Sequence, residues 1–143
     1  MSADTCIEPK IELLLILTIE TRLKQSVMAT PLGDRMIFDV IGGHFEGAGG
    51  LAGRVPASGG DWVTRTPRGS QLDVRLLLET DDGVGILFRY TGKASRRGDQ
   101  PHIEVAGSFD APAGAYGWLN DIQAFGMGVP IRDGVRYQFF HFK

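Results

Sequence analysis

No long stretch of this chain keeps its apolar residues on a helical period. Short runs rich in β-branched, leucine and aromatic residues are instead cut at close intervals by turn residues. Glycine is the sharpest constraint, with 20 among 143 residues and eight of those between Gly42 and Gly60. Each glycine inside a helix costs about 1 kcal/mol relative to alanine, whereas in strands glycine marks bulges, sharp corners and close backbone approach. The runs predict strands over 11–23, 35–41, 44–55, 71–79, 84–91, 102–109, 122–129 and 135–142. "TDDG" and "PIRDG" supply tight turns between the fourth and fifth and between the seventh and eighth. About eight antiparallel strands in a meander suggest a closed barrel, because closure leaves no sheet edge exposed. The expectation is all-β: a single antiparallel barrel domain over 1–143, with at most short helical turns and a flexible tail over 1–10. A chain of this length can bury a sizeable core.

The glycine stretch also offers an alternative. Gly47, Gly49 and Ala52 form a relaxed dinucleotide fingerprint, which must open a helix whose amides meet a pyrophosphate. After Ala52 the chain reads "GRVPASGGDW", with Pro56 and two further glycines, and no helix can start there. The strand reading wins.

Composition excludes other classes. The formal net charge of −2 gives no basic surface for nucleic acid or an anionic membrane, and "KASRRGD" reads as a solvated turn. The lone Cys6 builds no disulfide framework, which suits a reducing compartment. In "IELLLILTIE" the unbroken apolar core is too short for a secretory or spanning segment. A cytoplasmic protein is expected. His44 and Glu46 alternate on one face without a third ligand, so no metal is expected. No P-loop or GxSxG elbow appears, and no cofactor is called for.

Two strands carry the polar residues that fit a core least well. In "QLDVRLLLE", Leu72, Val74, Leu76 and Leu78 share one face, while Asp73, Arg75, Leu77 and Glu79 share the other. In "VGILFRYTG", Ile86, Phe88 and Tyr90 oppose Leu87 and Arg89. Pairing Thr80 with Gly83 sets Arg75 against Phe88 and Asp73 against Tyr90. A bulge at Gly83 sets Arg75 against Arg89 instead, which like-charge repulsion disfavours. The first register gathers an acid, a guanidinium, a phenol and an aromatic ring, a mixed lining of the kind small-molecule pockets use. The sequence does not label the faces. If the apolar face fills the interior, Asp73 and Arg75 are a solvated pair.

The ordered segments "TPLGDR", "VIGGHFEGAGGLAGRVPASGGDW", "LDVRLLLETDDGVGILFRYTGK", "GSFDAPAGAYGWLND" and "GVRYQFFHF" resemble the domain-of-unknown-function family 3237. The resemblance runs from about Thr30 to the C-terminus and implies a calycin-like, lipocalin-like β-barrel. Such a barrel can hold one small ligand, and the resemblance favours Asp73 and Arg75 in its lumen.

The expected ligand-binding residues are then Asp61, Trp62, Arg75, Phe88, Tyr90, Trp118 and Asn120. Trp62 and Trp118 could instead plug barrel ends, and Arg75 could sit in an internal salt bridge with Asp73, Glu79 or Asp61. The leading reading is a barrel binding a partly apolar, anionic or phenolic small molecule. The alternative is a cofactor-free isomerase, cyclase or lactone hydrolase, with Asp73 as base and Tyr90 or Arg75 stabilising an oxyanion. A side-chain-filled barrel with a purely structural role is the third. "YQFFHF" is either a buried last strand or a homo-oligomer contact.

Overall fold

The structure, a computed structural model, describes residues 5–143. It contains strands β1 (Ile11–Thr30), β2 (Gly33–Gly47), β3 (Ala52–Arg54), β4 (Gly60–Thr66) and β5 (Gly69–Thr80). These are followed by β6 (Gly85–Arg97), β7 (Gln100–Asp110), β8 (Ala124–Ile131) and β9 (Gly134–Phe142). Two 3-10 turns, Ala48–Gly50 and Gly117–Asp121, complete the described elements.

All pairings are antiparallel. The order runs β1-β9-β8-β7-β6-β5, and both β3 and β4 then bridge β5 to β2. The β1–β2 ladder joins the two ends. Nine strands therefore fill eight places around a closed wall, because β3 and β4 lie end to end in one place.

The glycine stretch is where the strand count departs from expectation. The run expected over 44–55 is divided among the end of β2, a 3-10 turn and β3. Strand β4 carried no expectation, since it opens on Gly60 directly after Gly59 and is only seven residues long. Gly59 shows why bare backbone is needed there. Its φ is +56°, and an added Cβ would lie 1.9 Å from the Arg75 carbonyl oxygen. No side chain can be accommodated at that separation.

Antiparallel alternation puts the tips at residues 31–32, 67–68, 98–99 and 132–133 at one end of the barrel. The other end carries both 3-10 turns and the 81–84 turn, and it is closed by Leu51, Leu78, Ile86, Phe109 and Leu119, none more than 4% exposed. Above this plug the interior is packed with rings. Phe88 stacks on Phe109 with centroids 4.1 Å apart and meets Phe139 edge-on at 4.9 Å. The centre is therefore a core rather than an open tube.

The first ten residues were expected to be a flexible tail. Residues 1–4 lie outside the described ones, and the Lys143 amide donates to the Lys10 carbonyl at 2.8 Å, tying that point to the chain's other end. Among the described residues, no helix is long and apolar enough to cross a membrane.

Candidate functional site: a buried acid and two phenols

The β5–β6 register is the one that like-charge repulsion disfavours. Arg75 faces Arg89, Asp73 faces Thr91, Val74 faces Tyr90 and Leu76 faces Phe88. The turn explains how. Thr80 N–H donates to the Val84 carbonyl, Val84 N–H donates to the Thr80 hydroxyl, and Gly83 takes φ +86°. Magnitudes explain why. This register brings Val74, Leu76, Leu78, Ile86, Phe88 and Tyr90 onto one buried face. Each such side chain gains about 1.5–3 kcal/mol on burial, against at most about 1 kcal/mol for an exposed like-charge pair.

Asp73 and Arg75 consequently stand exposed on the outer wall, and so does Trp62, which is 55% exposed. The expectation that Arg75 anchors a ligand in the lumen, with Asp73 as the base there, is corrected by this register. Arg75 also makes no salt bridge to Asp73, Glu79 or Asp61; Glu79 pairs with Arg54 at 3.1 Å.

Trp118 and Asn120 belong to the plug. Trp118 lies against the 3-10 turn that follows β2, its ring 3.0 Å from where a Cβ on Gly49 would stand. Asn120 uses both arms of its amide on Ala111: Oδ1 accepts from the backbone N–H at 2.8 Å and Nδ2 donates to the carbonyl at 2.9 Å. The Tyr116 hydroxyl donates to Asp82 at 2.8 Å and fastens the same end to the 81–84 turn. Replacing Asn120 with alanine removes two hydrogen bonds from a solvent-facing clamp. The expected loss is about 1–2 kcal/mol in urea unfolding, with the titration of Asp61 in the interior unchanged.

Three expected residues do point inward: Asp61, Phe88 and Tyr90. The cross-strand row Phe38, Asp61, Val74, Tyr90 and Gly107 places them on one inner face. Tyr137 joins from β9, between Leu17 and Gly128. It was missed in the sequence, although the alternation in "VRYQFFHF" puts Tyr137 and Phe139 on one face opposite Arg136 and Gln138. Two glycines seat the phenol rings. A Cβ on Gly107 would lie 2.5 Å from the Tyr90 Cβ, and one on Gly128 would lie 2.7 Å from the Tyr137 ring. The two phenol rings meet edge-on, with centroids 5.1 Å apart.

Asp61 Oδ1, the Tyr90 hydroxyl and the Tyr137 hydroxyl are all buried without a hydrogen-bond partner. An unpaired buried polar atom costs about 1–3 kcal/mol, and three in one place require a reason. Burial pushes the Asp61 carboxyl up to about 7; the Asp73 backbone amide opposes this and the Asp73 charge adds to it. Burial likewise raises both phenols well above their ordinary value; for Tyr90 the facing Tyr137 phenol is the next cause, and the Asp61 charge adds to each. Near neutral pH the trio therefore holds an acid that can gain or lose a proton beside two neutral hydroxyl donors.

What little solvent exposure the interior keeps lies towards the end opposite the plug. Asp61 is 7% exposed, as is Val63 next to it on the inner face of β4, and Met36 opposite Val63 is 8% exposed. Val105 and Ile103 retain 5% and 6%, whereas the plug residues Leu78, Ile86 and Leu119 retain none. Among the described residues, no group of three or more His, Cys, Asp or Glu stands together as a metal site would need.

The molecule is thus a closed antiparallel β-barrel, plugged at one end, with a buried acid–phenol cluster towards the other. The chain belongs to the DUF3237 family, proteins of unknown function, and the match covers residues 9–142. Among solved structures it is similar to a β-barrel-like protein from Acinetobacter baumannii AYE. The two share 26% identity over 96% of this chain and 99% of that one, with a TM-score of 0.84. A conserved protein of unknown function from Rhodopseudomonas palustris superposes with a TM-score of 0.86 at 19% identity, over 96% and 100% of the two chains. An enzyme from Penicillium herquei superposes with a TM-score of 0.74 at 21% identity, over 99% and 100%. At those identities, the last two likenesses speak for the fold alone. No protein with a curated description matches the chain in sequence.

Proposed function

We propose that this protein holds a partly apolar, ring-bearing small molecule in the barrel mouth opposite the plug, over its ring-packed core, and carries out cofactor-free acid–base chemistry on it. One observation carries the reading: a buried carboxyl titrating at about 7, placed with two phenols, all three with unfilled hydrogen-bonding capacity. A general acid–base group works best with a pKa near the operating pH, and desolvation supplies that match here.

In this reading Asp61 takes the base role first assigned to Asp73. Its carboxylate removes a proton from an acidic C–H or O–H next to a carbonyl or an aromatic ring. The Tyr90 and Tyr137 hydroxyls donate to the oxyanion that develops, and Asp61 returns the proton at another atom of the substrate. Isomerisation and ring closure by internal addition fit this cycle; lactone opening fits when the proton Asp61 removes is that of a water attacking the ring carbonyl and the proton it returns goes to the alkoxide released as the acyl C–O bond breaks. Phe38, Met36, Val63 and Val105 give the approach an apolar wall, which suits a phenolic or enolic substrate. The fold likeness to a protein described as an enzyme is consistent with this chemistry.

Catalysis and simple binding separate in one experiment. A panel of phenolic and enolisable carbonyl compounds is screened by thermal shift, and each hit is then followed for proton exchange with deuterated water. With wild-type protein, a hit should show exchange that rises with pH through about 7. Asp61→Asn should keep the thermal shift and lose exchange by about 100-fold or more. Exchange that survives in the variant removes Asp61 as the base. Binding without any exchange in the wild type leaves a carrier.

A further inference from the structure

A second site stands out on the outer wall, built by the same register that took Arg75 out of the lumen. Arg75 and Arg89 occupy directly opposed positions on β5 and β6, both exposed. Among the described residues neither makes a side-chain ion pair or hydrogen bond. The two guanidiniums line a cleft of about 400 Å³ together with Leu77, Leu87, Ser108 and Asp110. Ser108 faces Arg89 from β7, so its hydroxyl stands in the same cross-strand row as the two cations. Leu77 and Leu87 face each other one step along, with Leu87 58% exposed. Asp110 lies opposite Leu87 and two residues from Ser108 on the same face of β7, diagonal to Arg89, and borders the cleft on its β7 side without an ion pair to either arginine.

We infer that this cleft binds a phosphate monoester dianion whose organic part is apolar. Two forks side by side carry donors for several oxygens and two charges to match two, which a single carboxylate does not use fully. The exposed leucine pair gives the organic group a surface to cover. The row of unpaired like charges is what the interior burial imposed, and an anion is the occupant that relieves it. The site lies on the opposite face of the wall from Asp61 and stands independently of the proposed catalysis.

Calorimetric titration of the full chain with phenyl phosphate at low ionic strength and pH 7.5 tests this. Saturable one-to-one binding is expected, with a dissociation constant below about 1 mM, and with inorganic phosphate at least about tenfold weaker. Affinity should weaken with added salt, and also as the pH falls through about 6, where the second phosphate proton returns. Arg75→Gln and Arg89→Gln should each lose at least about tenfold in affinity with no fall in thermal stability, since each removes one of two opposed like charges. Arg89→Lys keeps the charge and loses the fork, so a loss of about threefold or more is expected there too. Asp61→Asn should bind as wild type. Absence of saturable binding, wild-type affinity in the two glutamine variants, or a loss confined to Asp61→Asn overturns the inference.

Discussion

Raising the pH from about 4 to about 7 should destabilise this protein through one side chain, and Asp61→Asn should abolish that loss. In the unfolded chain the Asp61 carboxyl titrates near 3.8, while in the folded barrel it holds its proton to about 7. Between those values the native state binds more protons than the unfolded state, so stability falls as pH rises. Below about 4 both states are protonated and the contribution is fully favourable. Above about 7 both are ionised and the full cost of a buried charge is present. The difference of about 3 units corresponds to about 2–4 kcal/mol once relaxation around the carboxylate is allowed for. Asparagine fills the same volume and does not titrate. The variant should thus match wild type below about pH 4, draw ahead of it as the pH rises towards 7 and exceed it at pH 8 by roughly 10 °C in melting temperature for a domain of this size. All other titrating groups are common to both proteins and cancel in the difference. Parallel stability–pH curves for the two proteins would show that Asp61 is solvated, and the proposed base would go with it.

How much of this was legible in the sequence depends on which forces decided each feature. The barrel was legible, because period-two patterning and turn residues are local signals, and the strands from residue 71 onward lie close to where those signals put them. The glycine stretch was legible as backbone-limited but not in detail. Gly59 is required by the Arg75 carbonyl on another strand, and such a long-range approach leaves no local trace. The faces of β5 were read with the wrong weight. The sequence does not label them, the resemblance favours the lumen for Asp73 and Arg75, and a charge argument of less than about 1 kcal/mol favours the other register; both yield to six apolar side chains whose common burial only closure of the wall reveals. Asp61 was legible as a candidate from its place in "SGGDW". Its partner Tyr137 lies 76 positions away in sequence, and the β9–β1 ladder, not any motif, carries it to the same interior. For Trp118 the sequence leaves two places open, a pocket wall or a plug at a barrel end, since an aromatic ring serves either; the structure has it in the plug, where Asn120 clamps the 3-10 turn to Ala111.

Phe88→Ala should cost about 3–5 kcal/mol, a loss comparable to any that a single side chain in this barrel can cause. Phe88 is 1% exposed and touches three other rings: Phe109 at 4.1 Å, Phe139 at 4.9 Å and Tyr90 at 5.0 Å. Truncation deletes the centre of that stack. The surrounding wall is a hydrogen-bonded cylinder and cannot collapse inward to fill the gap, so the cavity cost is retained in full. In urea this amounts to a midpoint lowered by about 2 M, with an unchanged slope. Phe88→Leu, which leaves most of the volume filled, should lose less than half as much. The same truncation reports on the site. Burial is the first cause of the raised Tyr90 phenol, and a water admitted beside Tyr90 would let its titration, followed by ultraviolet absorbance, move back towards the ordinary tyrosine value. A loss below about 1 kcal/mol, with Tyr90 unmoved, would mean that the rings do not carry the core. The lumen would then be far roomier than the packing around Phe88 implies, and the boundary between core and binding site would shift down towards the plug.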